Sequence, residues 1–249
     1  MPDINVYAAA SLTNALNEIR ALYIRSRPGV GLTMTYGGSG ALQQQIERGA
    51  AADVFLSAAS SQIDALQSQG LLLPDTRRDL LGNQIALVVP IGSTGINSFR
   101  DLTAARVRRI AIGNPAAVPA GEYAQEVFAS YGIKNQLRPK LTLYGDVRQV
   151  LAAVESGEAD AGVVYVTDAR VSTTTRIAAV APRRTHTPII YPVAVLRNSR
   201  NPEAARDFEN FLFSSQARAV FEKYGFPAGT LTAPASQWLR GLQALSGAE

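Results

Sequence analysis

Short apolar runs alternate with stretches of helical periodicity along almost the whole chain. "INVYAA" reads as a strand, and Leu12, Ala15, Leu16, Ile19, Leu22 and Tyr23 then recur at helical spacing. "GLTMTYG" predicts a second strand, with the helix "ALQQQIERG" behind it. "ADVFLSA" predicts a third strand, and the helix "SQIDALQSQG" closes at Gly70. "QIALVVP" is an apolar strand stopped by Pro90.

The same plan then repeats. "FRDLTAA" predicts a short helix, "RIAIGNP" a strand, and "GEYAQEVFASYG" a helix stopped by Gly132. "QLRPKLTLYG" leads into the helix "DVRQVLAAVESG", followed by a strand over "AGVVYVTDA". "RIAAVAP" and "PIIYPVAVL" read as strands. From Asn201 the chain reads as two helices, the first with Asn201 as a cap and Pro202 in the first turn, the second starting at Ser214 or Ser215 and closed by Gly225. A further end helix is expected from Thr230 onward.

Alternating strands and helices predict an α/β protein with largely parallel sheets. About nine such units exceed one comfortable sheet, so two lobes are expected. The two continuous apolar strands, "QIALVVP" and "YPVAVL", mark the crossings between them. That places residues 1–84 plus 193–249 in lobe I and residues 85–192 in an inserted lobe II, with a ligand cleft between them.

Composition narrows the chemistry. The 249 residues are 47% hydrophobic and 18% charged, an ordinary globular balance. The formal net charge of +4 is too small and too scattered to indicate nucleic acid. There is no cysteine, which excludes disulfides and thiolate metal sites, and one histidine argues against zinc. No apolar run is long enough to span a membrane. Met1 stands a few residues before the first strand, a start compatible with an exported protein whose leader is replaced or with a cytosolic one.

The junctions before four helices share one chemistry. They read "AAAS" with Ser11 as the N-cap, "YGGSGA" with Ser39 in a glycine-rich turn, "NPAAVPAG" ending at Ala120 and Gly121, and "YGDV" with Asp146 as the cap and Val147 in the first turn. A first helical turn leaves backbone N–H groups without internal partners, and the helix dipole adds positive potential. Small residues let an anion reach that backbone. Each junction also has a plain structural reading: Ser11 and Asp146 as ordinary caps, the glycines and Pro119 as turn formers. Tyr165 also reads as a strand-end aromatic with its hydroxyl in water.

"VYAAASLTNAL", "YGGSGAL", "ADVFLSA", "LLGNQIALVVP", "GNPAAVPAGEYA", "GDVRQVLAAVESGEADAGVVYVTDA", "YPVAVL" and "VFEKYGF", in this order from Ile4 to Phe226, resemble the periplasmic molybdate-binding proteins of ABC importers. The resemblance implies a two-lobed periplasmic binding protein, each lobe a mixed, mostly parallel sheet flanked by helices, with two crossover strands. It implies a ligand, molybdate or tungstate, held as an oxyanion, with no cofactor, no directly coordinated metal and no catalysis. It assigns hydroxyl donors to Ser11, Ser39 and Tyr165 and backbone N–H donors to Ala120 and Val147. It also implies a membrane permease as partner, a monomeric state and a periplasmic location.

Such a donors-only cage suits a fully deprotonated dianion. Monohydrogen phosphate would set its proton against a donor, and sulfate must be rejected by size. Other readings compete. "GGSGA" approximates a nucleophile elbow but ends in Ala41, and the lone His186 reads as an ordinary surface residue, so a serine hydrolase is weakly supported. A regulator's effector domain would need a DNA-binding module ahead of "INVYAAAS". A binding protein for another tetrahedral oxyanion, such as sulfate, is a third alternative, though Arg183 and Arg184 read as solvated rather than as a phosphate clamp.

Overall fold

The computed structural model describes residues 2–227. The end helix expected from Thr230 lies outside the described residues, as does the last part of the first expected lobe. In chain order the elements are β1 (Asp3–Ala9), α1 (Thr13–Ser26), β2 (Gly31–Gly37), α2 (Ser39–Glu47), β3 (Val54–Leu56), α3 (Ser60–Ser68), β4 (Arg78–Gly82) and β5 (Ile85–Pro90). There follow β6 (Ile110–Gly113), α4 (Pro119–Ser130), a single turn α5 (Lys134–Leu137), β7 (Leu141–Tyr144), α6 (Val147–Glu155), β8 (Ala161–Tyr165) and a short α7 (Val166–Ala169). β9 (Thr175–Val180), β10 (Ile190–Val195), α8 (Pro202–Leu212) and α9 (Ser215–Lys223) complete the described chain.

Two five-stranded sheets result. The first runs β2-β1-β3-β10-β4 and the second β7-β6-β8-β5-β9. Each is mixed in the same way. β1 pairs in parallel with β2 and β3, and β6 with β7 and β8. β10 runs antiparallel to β3 and β4, and β5 antiparallel to β8 and β9. Parallel and antiparallel pairings are therefore equal in number, because the strand at each crossing enters its sheet reversed. The chain passes from the first sheet to the second between β4 and β5 and returns before β10. Each of the two apolar crossing strands is hydrogen-bonded within one sheet only.

The continuous apolar strands are explained by burial on both faces. In the first sheet, Val54 and Leu56 of β3 and Val193 and Val195 of β10 join the main core, which also holds Leu16 and Ile19 of α1 and Phe208 of α8. Phe55 and Ala194, pointing the other way, pack with Leu42 of α2 and Ile63 and Leu66 of α3. At about 25 cal/mol per Å² of apolar surface, full burial of one such side chain stabilises by roughly 1.5–3 kcal/mol.

The structure departs from the sequence reading in a few places. "RDLLG" forms β4, which the periodicity did not predict. "VTDA" is a helical turn rather than the end of a strand. Asn201 does not cap α8 with its side chain; its amide donates to the Asp3 carbonyl at 3.0 Å. Ser214 does cap α9, accepting the Ala217 N–H at 3.2 Å.

Candidate functional site

Parallel strands point their carboxyl ends in one direction, and helices start there. β1 and β2 of the first sheet deliver Ser11 and Ser39. β6, β7 and β8 of the second deliver Ala120, Val147 and Tyr165. All five residues line a single small cavity and all five are buried. Its free volume is about 10 Å³, room for about one water, so a tetrahedral anion enters only if the walls part.

Ser39 opens α2, with Gly38 before it as the cap residue. Its Oγ accepts the Ala58 N–H at 3.0 Å, which leaves the hydroxyl hydrogen free for the cavity. The flanking glycines have a measurable reason. A Cβ on Gly38 would stand 2.6 Å from the Gly145 carbonyl oxygen, and one on Gly40 would stand 2.8 Å from the Cα of Ala117. The Gly40 N–H donates to the Ala117 carbonyl at 2.9 Å. The turn from the first sheet thus meets the loops of the second backbone to backbone, and only glycine allows that approach.

Ser11 corrects an expectation. It is not a helix cap: it lies inside a 3-10 turn over Ala10–Leu12 that precedes α1. Its Oγ lies 3.0 Å from the Tyr191 hydroxyl. Asp146 is the cap that the sequence predicts, accepting the N–H groups of Arg148 and Gln149 at 2.8 and 3.0 Å. Neither bond uses the N–H of Val147, the first residue of α6, which has no i−4 carbonyl to reach. Ala120 stands likewise in the first turn of α4, where the N–H groups of Gly121 and Glu122 both return to Val118.

Tyr165 ends β8, 1% exposed, and its hydroxyl has no hydrogen-bond partner. A hydroxyl of that kind costs about 1–3 kcal/mol when buried and unmatched. It lines the same cavity as the two serines. Burial pushes the phenols of Tyr165 and Tyr191 well above their ordinary range, so both keep their protons. The plain alternative for Tyr165, a strand-end aromatic with its hydroxyl in water, is therefore ruled out by its burial.

No cationic side chain lines the cavity, but one stands behind it. Arg148 of α6 places its Nε 2.8 Å from Oδ1 of Asp168, which is completely buried in α7. The contact is close but off the hydrogen-bond line. The same guanidinium donates to the Ser11 carbonyl at 3.4 Å, linking the two sheets. Burial pushes the Asp168 carboxyl up to about 6, with Arg148 opposing that rise.

His186 is half-buried rather than a surface residue. Its Nδ1 lies 2.7 Å from the Thr187 carbonyl, and its ring stands edge-on to Tyr123 at 5.9 Å. Among the described residues no serine–histidine hydrogen bond occurs, and the Nδ1 of His186 is engaged by the Thr187 carbonyl. Arg183 and Arg184 are exposed. The sequence reading missed Arg148, Asp168, Tyr191 and Asn83. Arg148 carried a signal, standing one residue after Val147; Tyr191 was hidden in an apolar crossing strand.

Comparison with known proteins gives one family and consistent relatives. A model of the bacterial extracellular solute-binding protein family matches residues 4–227. The chain is 35% identical over 229 residues to the molybdate-binding protein ModA of Haemophilus influenzae, covering 90% of each protein. It is 38% identical over 228 residues to the ModA of Escherichia coli, covering 90% of this chain and 88% of that protein. The solved structure of the Azotobacter vinelandii periplasmic molybdate-binding protein shares the fold with a TM-score of 0.81 at 22% identity, over 91% of this chain and all of that one.

Proposed function

This chain belongs to the bacterial extracellular solute-binding protein family, and from that premise we propose that it captures molybdate as the solute-binding component of an ABC importer. The supporting observation is the cavity itself. Ser11 and Ser39 from one sheet, and Ala120, Val147 and Tyr165 from the other, converge on a buried space that no charged side chain lines. Relatives of 35% and 38% identity carry the name of molybdate-binding proteins.

In this reading the hydroxyls of Ser11, Ser39 and Tyr165 and the N–H groups of Ala120 and Val147 surround a tetrahedral dianion. Hydrogen bonds to a charged partner contribute on the order of 1.5–3 kcal/mol each, so five suffice for micromolar or tighter binding without an arginine in contact. Among the described residues, 2–84 with 193–227 act as one lobe and 85–192 as the other, with the return crossing at β10 (Ile190–Val195). The two close on the ligand by a hinge at the crossings. Tungstate, nearly the size of molybdate, binds comparably, and the chain acts as a monomer that delivers its cargo to a membrane permease outside the cytoplasm.

A thermal-shift panel of molybdate, tungstate, sulfate, phosphate and nitrate tests this. A ligand bound only by the native state raises the melting temperature by linkage. Molybdate and tungstate should do so at micromolar concentration. A panel in which sulfate or phosphate gives the larger shift, or none gives any, rejects the assignment.

A further inference from the structure

The Ser11 hydroxyl does not stand alone. Its Oγ lies 3.0 Å from the Tyr191 Oη, and the Asn83 amide nitrogen lies 3.2 Å from that same Oη. The orientation of the Asn83 amide is fixed by its surroundings. Its Oδ1 takes the backbone N–H of Gln84 at 2.9 Å, and an N–H can only donate. The other end is therefore nitrogen, and its two hydrogens go to Thr167 Oγ1 at 2.9 Å and to Tyr191.

Tyr191 receives a hydrogen bond from Asn83 and has its own hydrogen to place on one of two neighbours, the Ser11 Oγ at 3.0 Å or the Tyr165 hydroxyl beside it. Its ring is wedged edge-on between Tyr165 at 5.6 Å and Phe226 at 5.8 Å, so the hydroxyl cannot swing away. Ser39 has the short form of the same arrangement, with the Ala58 N–H as the permanent donor to its Oγ. The two serines differ in what orients them: main chain for Ser39, side chains at the two sheet crossings for Ser11.

We propose that Asn83 and Tyr191 form a directed hydrogen-bond chain that turns the Ser11 hydroxyl into a fixed donor, and that these two positioning residues set the rejection of protonated oxyanions. The direction runs Asn83 Nδ2–H to Tyr191 Oη, Tyr191 Oη–H to Ser11 Oγ, and Ser11 Oγ–H into the cavity. A serine hydroxyl left free to rotate donates or accepts as its partner requires. It would then accept the proton of a monohydrogen anion, and discrimination would fall. Held as a donor, it leaves that proton unmatched, which is costly in a closed site. The inference rests on the molybdate reading above.

Two substitutions test the chain from opposite ends. Tyr191→Phe removes the oxygen but keeps the ring packing. Asn83→Asp replaces the amide donor with a carboxylate, so Tyr191 must turn its hydrogen back toward residue 83 and accept from Ser11. The readout is the ratio of the phosphate to the molybdate dissociation constant by competition calorimetry, under mildly alkaline conditions where phosphate is the monohydrogen dianion. Both ligands then carry two charges, so the charge added by Asn83→Asp largely cancels in the ratio. Each variant should lower the ratio about tenfold, the scale of one mispaired buried hydrogen bond. Thermal unfolding verifies that each is folded.

Ser11→Ala provides an internal reference if Tyr191→Phe or Asn83→Asp folds poorly. In its background, Asn83→Asp and Tyr191→Phe should each change the ratio no further, because the hydroxyl that they orient is gone. An unchanged ratio in the folded single variants, or full additivity with Ser11→Ala, overturns the chain while leaving molybdate binding in place. Wild-type protein that binds no molybdate overturns the underlying reading and the chain with it.

Discussion

β1 has a cavity at each end, and the two could hardly differ more. At its start lies a groove of about 500 Å³ bordered by Asp3, Asn5, Asp53 and Arg200. Beyond its finish lies the proposed anion cavity, of about 10 Å³, reached through Ser11. Size and charge both favour the groove as a site. The hydrogen bonds point the other way. Asp53 accepts the Asn5 N–H at 2.7 Å and the Ser199 hydroxyl at 2.5 Å, and the Asn201 amide is used on the Asp3 carbonyl. In the small cavity the Tyr165 hydroxyl is buried without a partner and first-turn N–H groups converge. Unmatched buried donors, rather than volume, favour the small cavity as the proposed anion site, whereas the buried carboxylate of the groove, Asp53, is already matched.

The buried carboxylates of the two regions give the largest expected contrast. Asp168, behind the anion cavity, has its carboxyl pushed up to about 6 by burial, from an ordinary 3.8. A carboxyl raised in the folded state binds more protons folded than unfolded across that window. Its burial penalty is therefore absent below about 4 and fully felt above about 6. Replacing it with asparagine should remove a destabilisation of up to roughly 3 kcal/mol at neutral pH, a figure that already includes the opposing attraction of Arg148. The sharper readout is the slope. Unfolding free energy from denaturant titrations should fall with pH between 4 and 6 more steeply in wild type than in Asp168→Asn. Parallel curves would mean that Asp168 does not titrate there.

Closure of the small cavity comes next. Gly40→Ala places a methyl group 2.8 Å from the Ala117 Cα, backbone that cannot swing aside. Overpacking of this kind costs about 1–3 kcal/mol, so molybdate affinity should fall up to roughly a hundredfold. If the lobes part without ligand, as proposed, the contact is absent there and the melting temperature without ligand should hardly change. Equal losses of affinity and of unliganded stability would show that the contact belongs to the fold rather than to closure.

Tyr165 and Ser39 sharpen the comparison within the cavity. Tyr165→Phe removes a hydroxyl that bonds nothing in the protein. It should weaken molybdate binding about tenfold with no loss of unliganded stability. Ser39→Ala should weaken binding by a similar factor but also strand the Ala58 N–H, lowering unliganded stability by about 1–2 kcal/mol. Calorimetry and thermal unfolding of the pair separate the two roles; identical stability profiles would contradict the difference in bonding.

Much of this was legible before the structure. Period-two and helical patterns mark most strands and helices, and the small residues at four helix starts mark Ser11, Ser39, Ala120 and Val147. What stayed hidden depends on long-range contacts. β4 is a short "RDLLG" whose strand character comes from pairing with β10, more than a hundred residues away. "VTDA" continues an apolar run without a turn residue, so nothing local announces that the strand stops at Tyr165. Arg148 and Asp168 meet because α6 and α7 pack together, and Asn83 and Tyr191 because both crossings lie side by side. Local propensity reports where a helix begins; it does not report which side chain lies behind it.

The smallest effect is expected where the cavity is largest. Asp53→Asn keeps the shape of the side chain but removes the charge that strengthens its bonds from Asn5 and Ser199. Charge-assisted bonds are roughly twice as strong as neutral ones, so unfolding free energy should fall by about 1–2 kcal/mol. Molybdate affinity should stay within about twofold. Asp53 is buried, but it lies at the opposite end of β1 from Ser11, roughly 15 Å away at about 3.3 Å per strand residue, where the Coulomb energy between two charges is only a few tenths of a kcal/mol in a water-like medium. Ionic strength offers a control: the part of any change in affinity that travels through solvent should shrink as salt is raised. A drop of tenfold or more that persists in high salt would mean that the groove and the anion cavity are coupled through β1, and that the satisfied hydrogen bonds of the groove hold the strand in the register that the ligand requires.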